Sequence, residues 1–347
     1  MWLSIVGFLV SAFFIYLGGR RLSLYGDIIS KETGLGRIWI GLILMASVTS
    51  LPELVIGISS VTIVGSADMA VGNVLGSCIF NLSILSLMDA ILPGQPLFTR
   101  LANSHVLAAT LCTILLALVG IGLFLPNEIV ILDWIGVTSI AFIFVYLISM
   151  RMLNIHGLKE QARLKAAQMK LSFEGGEDTP EKEDLKHMEI GLNRAILYFA
   201  LNALVVIAAA LALPSFSVTI AEESGLGESF VATLFMAASS SLPEIVVSVS
   251  AARMGAADLA AGNLFGSNIF NIMLLSVSDL FYTQGNLLKD ASEANIVTVF
   301  AITIMNAIAI AGLTTRVEKK ELHYLTWDTL FIFLIYLGAL VYLFYSG

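Results

Sequence analysis

Apolar runs of about 20 residues, the length a helix needs to cross ~30 Å of hydrocarbon, recur along this chain with short polar breaks between them. They predict ten membrane spans, near residues 2 to 19, 38 to 64, 68 to 92, 103 to 124, 129 to 151, 193 to 214, 229 to 253, 258 to 282, 294 to 313 and 326 to 345. No run shows the period-two alternation of strands with turn signals, so helices rather than a closed barrel satisfy the backbone inside lipid. The first run, Trp2 to Leu17, has no basic stretch ahead of it and no small-residue cleavage motif after it, and reads as a first span. One long polar segment, 152 to 192, interrupts the series. It opens with a basic piece of helical character (HGLKEQARLKAAQMKLSF) and ends in EGGEDTPEKED, whose acids lack EF-hand spacing. It is too short for a core of its own and reads as a linker.

Composition sharpens this picture. Of 347 residues 58% are hydrophobic, and 18 basic plus 26 acidic residues make only 13% charged, about half the usual soluble fraction of ~25%. Fourteen of those 44 charges fall in the 152 to 192 segment. With mean hydropathy at +0.90, the remainder cannot coat a water-facing surface, which excludes a soluble enzyme or a disordered tail. A net charge of −8 offers no basic patch for nucleic acid. Cys78 and Cys112 each sit inside an apolar run and form no disulfide framework or CxxC site. Connections after odd-numbered spans hold 17 of the 18 Lys and Arg residues, Lys289 being the exception. The positive-inside rule therefore places those loops in the cytoplasm of a cell with the chain in its inner membrane, and both termini outside.

Shifting the chain on itself by about 190 positions exposes a duplication. Glu32 to Glu53 (ETGLGRIWIGLILMASVTSLPE) matches Glu223 to Glu244 (ESGLGESFVATLFMAASSSLPE) at 10 of 22 positions, and Ala67 to Asn81 (ADMAVGNVLGSCIFN) matches Ala257 to Asn271 (ADLAAGNLFGSNIFN) at 10 of 15. Halves of five spans each, 1–151 and 193–347, joined by the 152–192 loop, enter the membrane from opposite sides. The expected fold is an all-α membrane protein of ten transmembrane helices in two inverted five-helix repeats, the architecture of alternating-access transporters.

Glu53 and Glu244 are the only acids near the middle of predicted spans, at equivalent positions of the two repeats. An ionisable group there costs at least ~2.5–3.5 kcal/mol and marks a functional site. Thr49 and Ser50, and likewise Ser240 and Ser241, precede them by four and three residues on the same helical face. Pro52 and Pro243 cannot donate to the carbonyls of Val48 and Ser239, so backbone oxygen is freed beside each carboxylate. On the following helices Ser77 and Asn81, and Ser267 and Asn271, are four apart. Gly72 with Gly76, and Gly262 with Gly266, form close-packing pairs. Asp68 and Asp258 read as helix N-caps, and Asp89 and Asp279, some 21 residues later, as interface or vestibule groups near the cytoplasmic end. His105, His156, His187 and His323 lie near span ends or in loops, which argues against a histidine relay or zinc. Two carboxylates with hydroxyl, amide and main-chain oxygens suit a hard cation, Ca²⁺ or Na⁺.

The paired segments TSLPE with GNVLGSCIFN and SSLPE with GNLFGSNIFN resemble the two α-repeats of the cation/Ca²⁺ exchanger superfamily, nearest to prokaryotic sodium/calcium exchangers. The resemblance covers essentially the whole chain. It implies an antiporter rather than an enzyme, moving Ca²⁺ outward against Na⁺, with these ions as substrates, no cofactor, the bilayer as surroundings and no obligatory protein partner. A proton-coupled or K⁺-assisted exchanger is the alternative, although the GNAAE-like segment of proton-specific relatives is absent. Carried across, Glu53 and Glu244 are central Ca²⁺ ligands, Thr49 and Ser240 add backbone oxygen, and Ala46, Ser50 and Ser77 with Ala237, Ser241 and Ser267 line flanking Na⁺ sites. Asn81 and Asn271 face the middle of the cluster. Some relatives carry Asp at the position of Asn271, which removes one titratable group here. Cys78 stands where the second repeat has Asn268, a position expected to point away from the site. The first and sixth helices of the family slide to switch access; here they read as continuing through Arg20 to Ser30 and Ser215 to Glu222.

Overall fold

The computed structural model describes residues 2–124, 130–131, 134–173, 190–223, 239–320, 322 and 324–346. Helices account for almost all of them: α1 (Trp2–Thr33), α2 (Arg37–Val64), α3 (Ala67–Ile91), α4 (Leu97–Arg100), α5 (Ser104–Phe124), α6 (Val137–Phe173), α7 (Leu192–Glu223), α8 (Leu242–Arg253), α9 (Ala257–Phe281), α10 (Leu287–Asp290), α11 (Asn295–Thr315) and α12 (Trp327–Ser346). Eight described helices are long and apolar enough to cross a membrane. Of the other two predicted spans, 229–253 is described only from Ser239 onward, and 326–345 is α12, whose apolar part is Trp327–Leu343. The 20 residues of α12 rise roughly 30 Å, still the thickness of the hydrocarbon. The predicted fifth span starts later than its apolar run, because Val130–Ile131 first pairs antiparallel with Ile135–Gly136. Its helix then continues through the basic part of the linker to Phe173, as the pattern there predicts; the acidic remainder and His187 fall outside the described residues, as does His323.

α1 and α7 run 32 residues each, roughly 48 Å at 1.5 Å per residue, so both extend well past the apolar runs and must tilt or protrude. They lie antiparallel against each other. The Phe216 ring covers Gly7, Val206 covers Gly18, and the rings of Tyr25 and Tyr198 are 5.4 Å apart. Ser23 Oγ donates to the carbonyl of Val247 at 2.7 Å and ties α1 to α8.

The most enclosed helices are α3 and α9, which cross at their middles and run in opposite directions. Gly262 and Gly266 set the close approach of α9 to α2. A Cβ on Gly262 would lie 3.0 Å from the carbonyl oxygen of Ile38, and one on Gly266 would overlap the Leu42 backbone. Residues 229 and 233, the sequence equivalents of Ile38 and Leu42, lie outside the described residues.

Four carboxylates depart from the sequence reading. Ser66, not Asp68, caps α3 by accepting from Met69 N, and Ala256 precedes α9 without a side-chain cap. Two positions past the cap, Asp68 is free to reach α11, accepting from Ser292 N at 2.9 Å and Asn295 Nδ2 at 2.7 Å. Asp258 meets the start of α5 in the same way, through Ala102 N at 2.8 Å and His105 Nε2 at 3.0 Å. Asp89 and Asp279 are buried caps for neighbouring helices rather than vestibule groups, and because α3 and α9 are antiparallel they lie at opposite ends of the bundle. The Asp89 end also gathers Arg37 on the Gly255 carbonyl, Arg316 on the Leu101 carbonyl and Lys320 on Asp89. Basic residues of loops distant in sequence therefore share one face, in keeping with the charge count.

Candidate functional site

The second span is a helix with three irregularities, and each bears on the site. Ile40–Met45 and Ser60–Val64 are wound as wide π turns, a form that concentrates at functional positions. Between them the helix breaks at Ser50, whose φ of −92° and ψ of 5° leave the helical region, and restarts with Leu51 and Pro52. The second repeat breaks at the equivalent residue, Ser241, with φ −90° and ψ 10° before Leu242 and Pro243. Glu53 and Glu244 therefore occupy the first turn of a new helix, where unpaired backbone N–H groups favour a negative charge.

Both carboxylates are completely buried, as are Thr49, Ser50, Asn81, Ser241, Ser267, Asn271 and Ala46, with Ser77 and Ser240 nearly so. Ala237 lies outside the described residues. Ser77 Oγ donates to Glu53 Oε1 at 3.3 Å. Glu53 Oε2 and both oxygens of Glu244 meet no donor in hydrogen-bond geometry, although Thr49 and Ser50 lie close to Glu244 and Glu53 is within its electrostatic reach. Ser50 Oγ, Ser241 Oγ, Asn81 Oδ1 and both polar atoms of Asn271 are likewise unpartnered. Buried polar atoms are almost always hydrogen-bonded, because each orphan costs about 1–3 kcal/mol. Eight such atoms on six residues of the two repeats, all of them but one oxygen, form a donor set suited to something that accepts oxygen lone pairs. Among the described residues no three His, Cys, Asp or Glu side chains cluster, so two carboxylates and neutral oxygens are the donor set.

The remaining predicted residues split by role. Thr49 Oγ1 is occupied across the seam, 3.3 Å from Asn263 Oδ1 and 3.3 Å from Ser267 Oγ, which leaves its main-chain oxygen rather than its hydroxyl for a ligand. Ser267 consequently pairs with the first repeat, whereas Ser77 pairs with the glutamate of its own repeat. Two residues were missed. Asn263, eight before Asn271 on the same face of α9, donates to Ser248 Oγ at 3.1 Å besides accepting from Thr49. It is the second residue of the GNLFGSNIFN segment, and its spacing was the available signal. Asn268, expected to point away, instead accepts from Asn81 Nδ2 at 3.0 Å. Helical periodicity could not show this, because it depends on where α3 crosses α9.

An all-helical, multi-span bundle with two buried glutamates at paired helix breaks is the class that fold and site define. The sodium/calcium exchanger protein family model matches residues 3–153 and 194–345, and the chain belongs to that family, which makes it a cation/Ca²⁺ antiporter. The sodium/calcium exchanger MaX1 of Methanosarcina acetivorans is 34% identical over 46% of this chain and 43% of its own length, so less than half of that protein is matched. The inner membrane protein YrbG of Escherichia coli is 26% identical over 88% of this chain and 87% of its own. The solved structure of the sodium-calcium exchanger NCX_Mj soaked in Na⁺ without Ca²⁺ has the same fold, with TM-score 0.72, 20% identity and 98% of each chain covered.

Proposed function

We propose that this chain exchanges cytoplasmic Ca²⁺ for external Na⁺ by alternating access, with Glu53 and Glu244 as the central ligands. The observation that carries this reading is that three of the four oxygens on two wholly buried carboxylates have no hydrogen-bond donor among the described residues. Two such charges in a low-dielectric site repel each other and cannot be carried bare from one side of the membrane to the other. One Ca²⁺ cancels both. Four carboxylate oxygens with the carbonyls of Thr49 and Ser240 supply about six ligands, the lower end of the Ca²⁺ range. Ser50, Ser77, Ser241 and Ser267, with Ala46 and Ala237, flank this centre and hold Na⁺ when Ca²⁺ has left. Asn81 and Asn271 complete the middle of the cluster. Competition for one set of oxygens prevents both ions from binding together, and the charge penalty prevents an empty crossing, so exchange is obligatory.

The framework for this cycle is two inverted five-helix halves, 1–151 and 193–347, in a cell's inner membrane, with both termini outside and the 152–192 linker in the cytoplasm. The support is the antiparallel course of α3 and α9 and the collection of basic loops at one end. The test is Ca²⁺ uptake into proteoliposomes driven by an outward Na⁺ gradient with pH clamped and K⁺ absent. Sodium coupling predicts accumulation that follows the gradient; uptake that needs a pH gradient or K⁺ instead would replace Na⁺ coupling by one of those.

A further inference from the structure

The two asparagines at the centre of the site are held differently. Asn268 donates through Nδ2 to the backbone carbonyl of Cys78 at 3.1 Å. A carbonyl can only accept, so this bond fixes which end of the Asn268 amide is nitrogen. Its oxygen must then face the other way, where it accepts from Asn81 Nδ2 at 3.0 Å. That second bond fixes Asn81 in turn: its NH₂ is committed to Asn268, and its Oδ1, buried and without a donor, is the atom left for the site.

The repeat offers no such relay to Asn271. The position equivalent to Asn268 is Cys78, which points its sulfur at the Asn268 carbonyl at 3.8 Å, a weak contact with a weak donor. A thiol has no second arm with which to grip a neighbouring amide. Asn271 is wholly buried and, among the described residues, neither its nitrogen nor its oxygen has a partner, so no described group sets which of them faces the carboxylates.

We propose that Asn268 is a positioning residue that locks Asn81 as an oxygen ligand, and that Cys78 leaves the Asn271 amide free to present either end to the site. The two halves of the site then contribute unequally to a bound cation: Asn81 always as an oxygen, Asn271 as an oxygen when a cation is present and as a donor to a glutamate when the site is cation-poor. This rests on the reading of the cluster as the Ca²⁺ site.

Two variants with opposite expected signs test it. Asn268→Cys unlocks Asn81 and is expected to raise the half-saturating Ca²⁺ concentration roughly three- to ten-fold, the range set by one lost hydrogen bond, with little change in maximal rate. Cys78→Asn supplies the missing relay and is expected to lower half-saturating Ca²⁺ by a similar factor. Both are measured as Ca²⁺ uptake in proteoliposomes and as Ca²⁺-induced thermal stabilisation of the purified protein, so a fall in expression or maximal rate is separated from a change in affinity. Wild type that neither binds nor moves Ca²⁺ overturns the functional reading itself. Wild type that does both, with affinity unchanged in Cys78→Asn or with only the maximal rate reduced in Asn268→Cys, overturns the positioning role alone.

Discussion

Asp89 accepts a hydrogen bond from Thr329 Oγ1 at 2.9 Å, joining the last turn of α3 to the first turn of α12, 240 residues later in the chain. The same carboxylate accepts from the backbone N–H groups of Leu97 at 2.8 Å and Thr326 at 3.0 Å. Asp279, its repeat equivalent, accepts from Leu287 N at 3.0 Å, Gly136 N at 2.9 Å and Ser139 Oγ at 2.6 Å. Each α3-type helix thus caps the last long helix of the other half. Asp68 and Asp258 join the opposite ends of these helices to α11 and α5. The halves are cross-tied at both ends, which holds the glutamates together.

The Asp89 tie also carries a lysine. Lys320 Nζ lies 3.5 Å from Asp89 Oδ1, with its side chain 7% exposed, while the residue 190 positions earlier in the sequence is Val130. Asp89→Asn strands a buried cation and is expected to lower stability by about 3 kcal/mol. Denaturation midpoints in detergent, compared for wild type and Asp89→Asn, check this; an unchanged midpoint would contradict the role given to Lys320.

The approach of α9 to α2 admits no side chain at Gly266, where the obstacle is Leu42 backbone that cannot rotate away. Gly266→Ala is expected to cost about 2 kcal/mol or more and to impair transport by prising the helices apart at the site. Gly157→Ala, whose new methyl would meet nothing within 4 Å, serves as the control and should leave the melting temperature level or slightly raised. A melting temperature for Gly266→Ala no lower than that of the control would sink the packing argument.

Among the described residues, the buried hydroxyls of Ser50 and Ser241 meet no partner in hydrogen-bond geometry. Removing an unsatisfied hydroxyl does not destabilise a fold, whereas removing a ligand weakens binding. Ser50→Ala and Ser241→Ala should therefore keep or raise thermal stability while the Na⁺ concentration for half-maximal exchange rises a few-fold. Lower stability with unchanged Na⁺ dependence would make them structural residues.

What could be read in advance divides by range. The breaks before Glu53 and Glu244, the overlong α1 and α7 and the helical start of the linker all follow from residues within a few turns of one another, and the chain carries them openly. The N-cap reading of Asp68 failed because Ser66 already occupies the cap position, which leaves the carboxylate for α11. The grip of Asn268 on Asn81 was invisible for a different reason: adjacent residues on a helix face different ways, and which of them meets α3 is decided by the crossing point. Asp89 and Asp279 were misplaced near a common end because inversion was deduced from the repeat without being applied to the ends of α3 and α9.

The central claim is that a pair of enclosed glutamates carries the transported charge. Na⁺-gradient-driven Ca²⁺ flux in proteoliposomes, compared for wild type, Glu53→Gln and Glu244→Gln at matched protein density, tests it most directly. Each substitution leaves a single negative charge for a divalent ion, and a loss of about 3 kcal/mol or more corresponds to flux reduced at least roughly 100-fold. Wild-type flux in either variant would contradict the account.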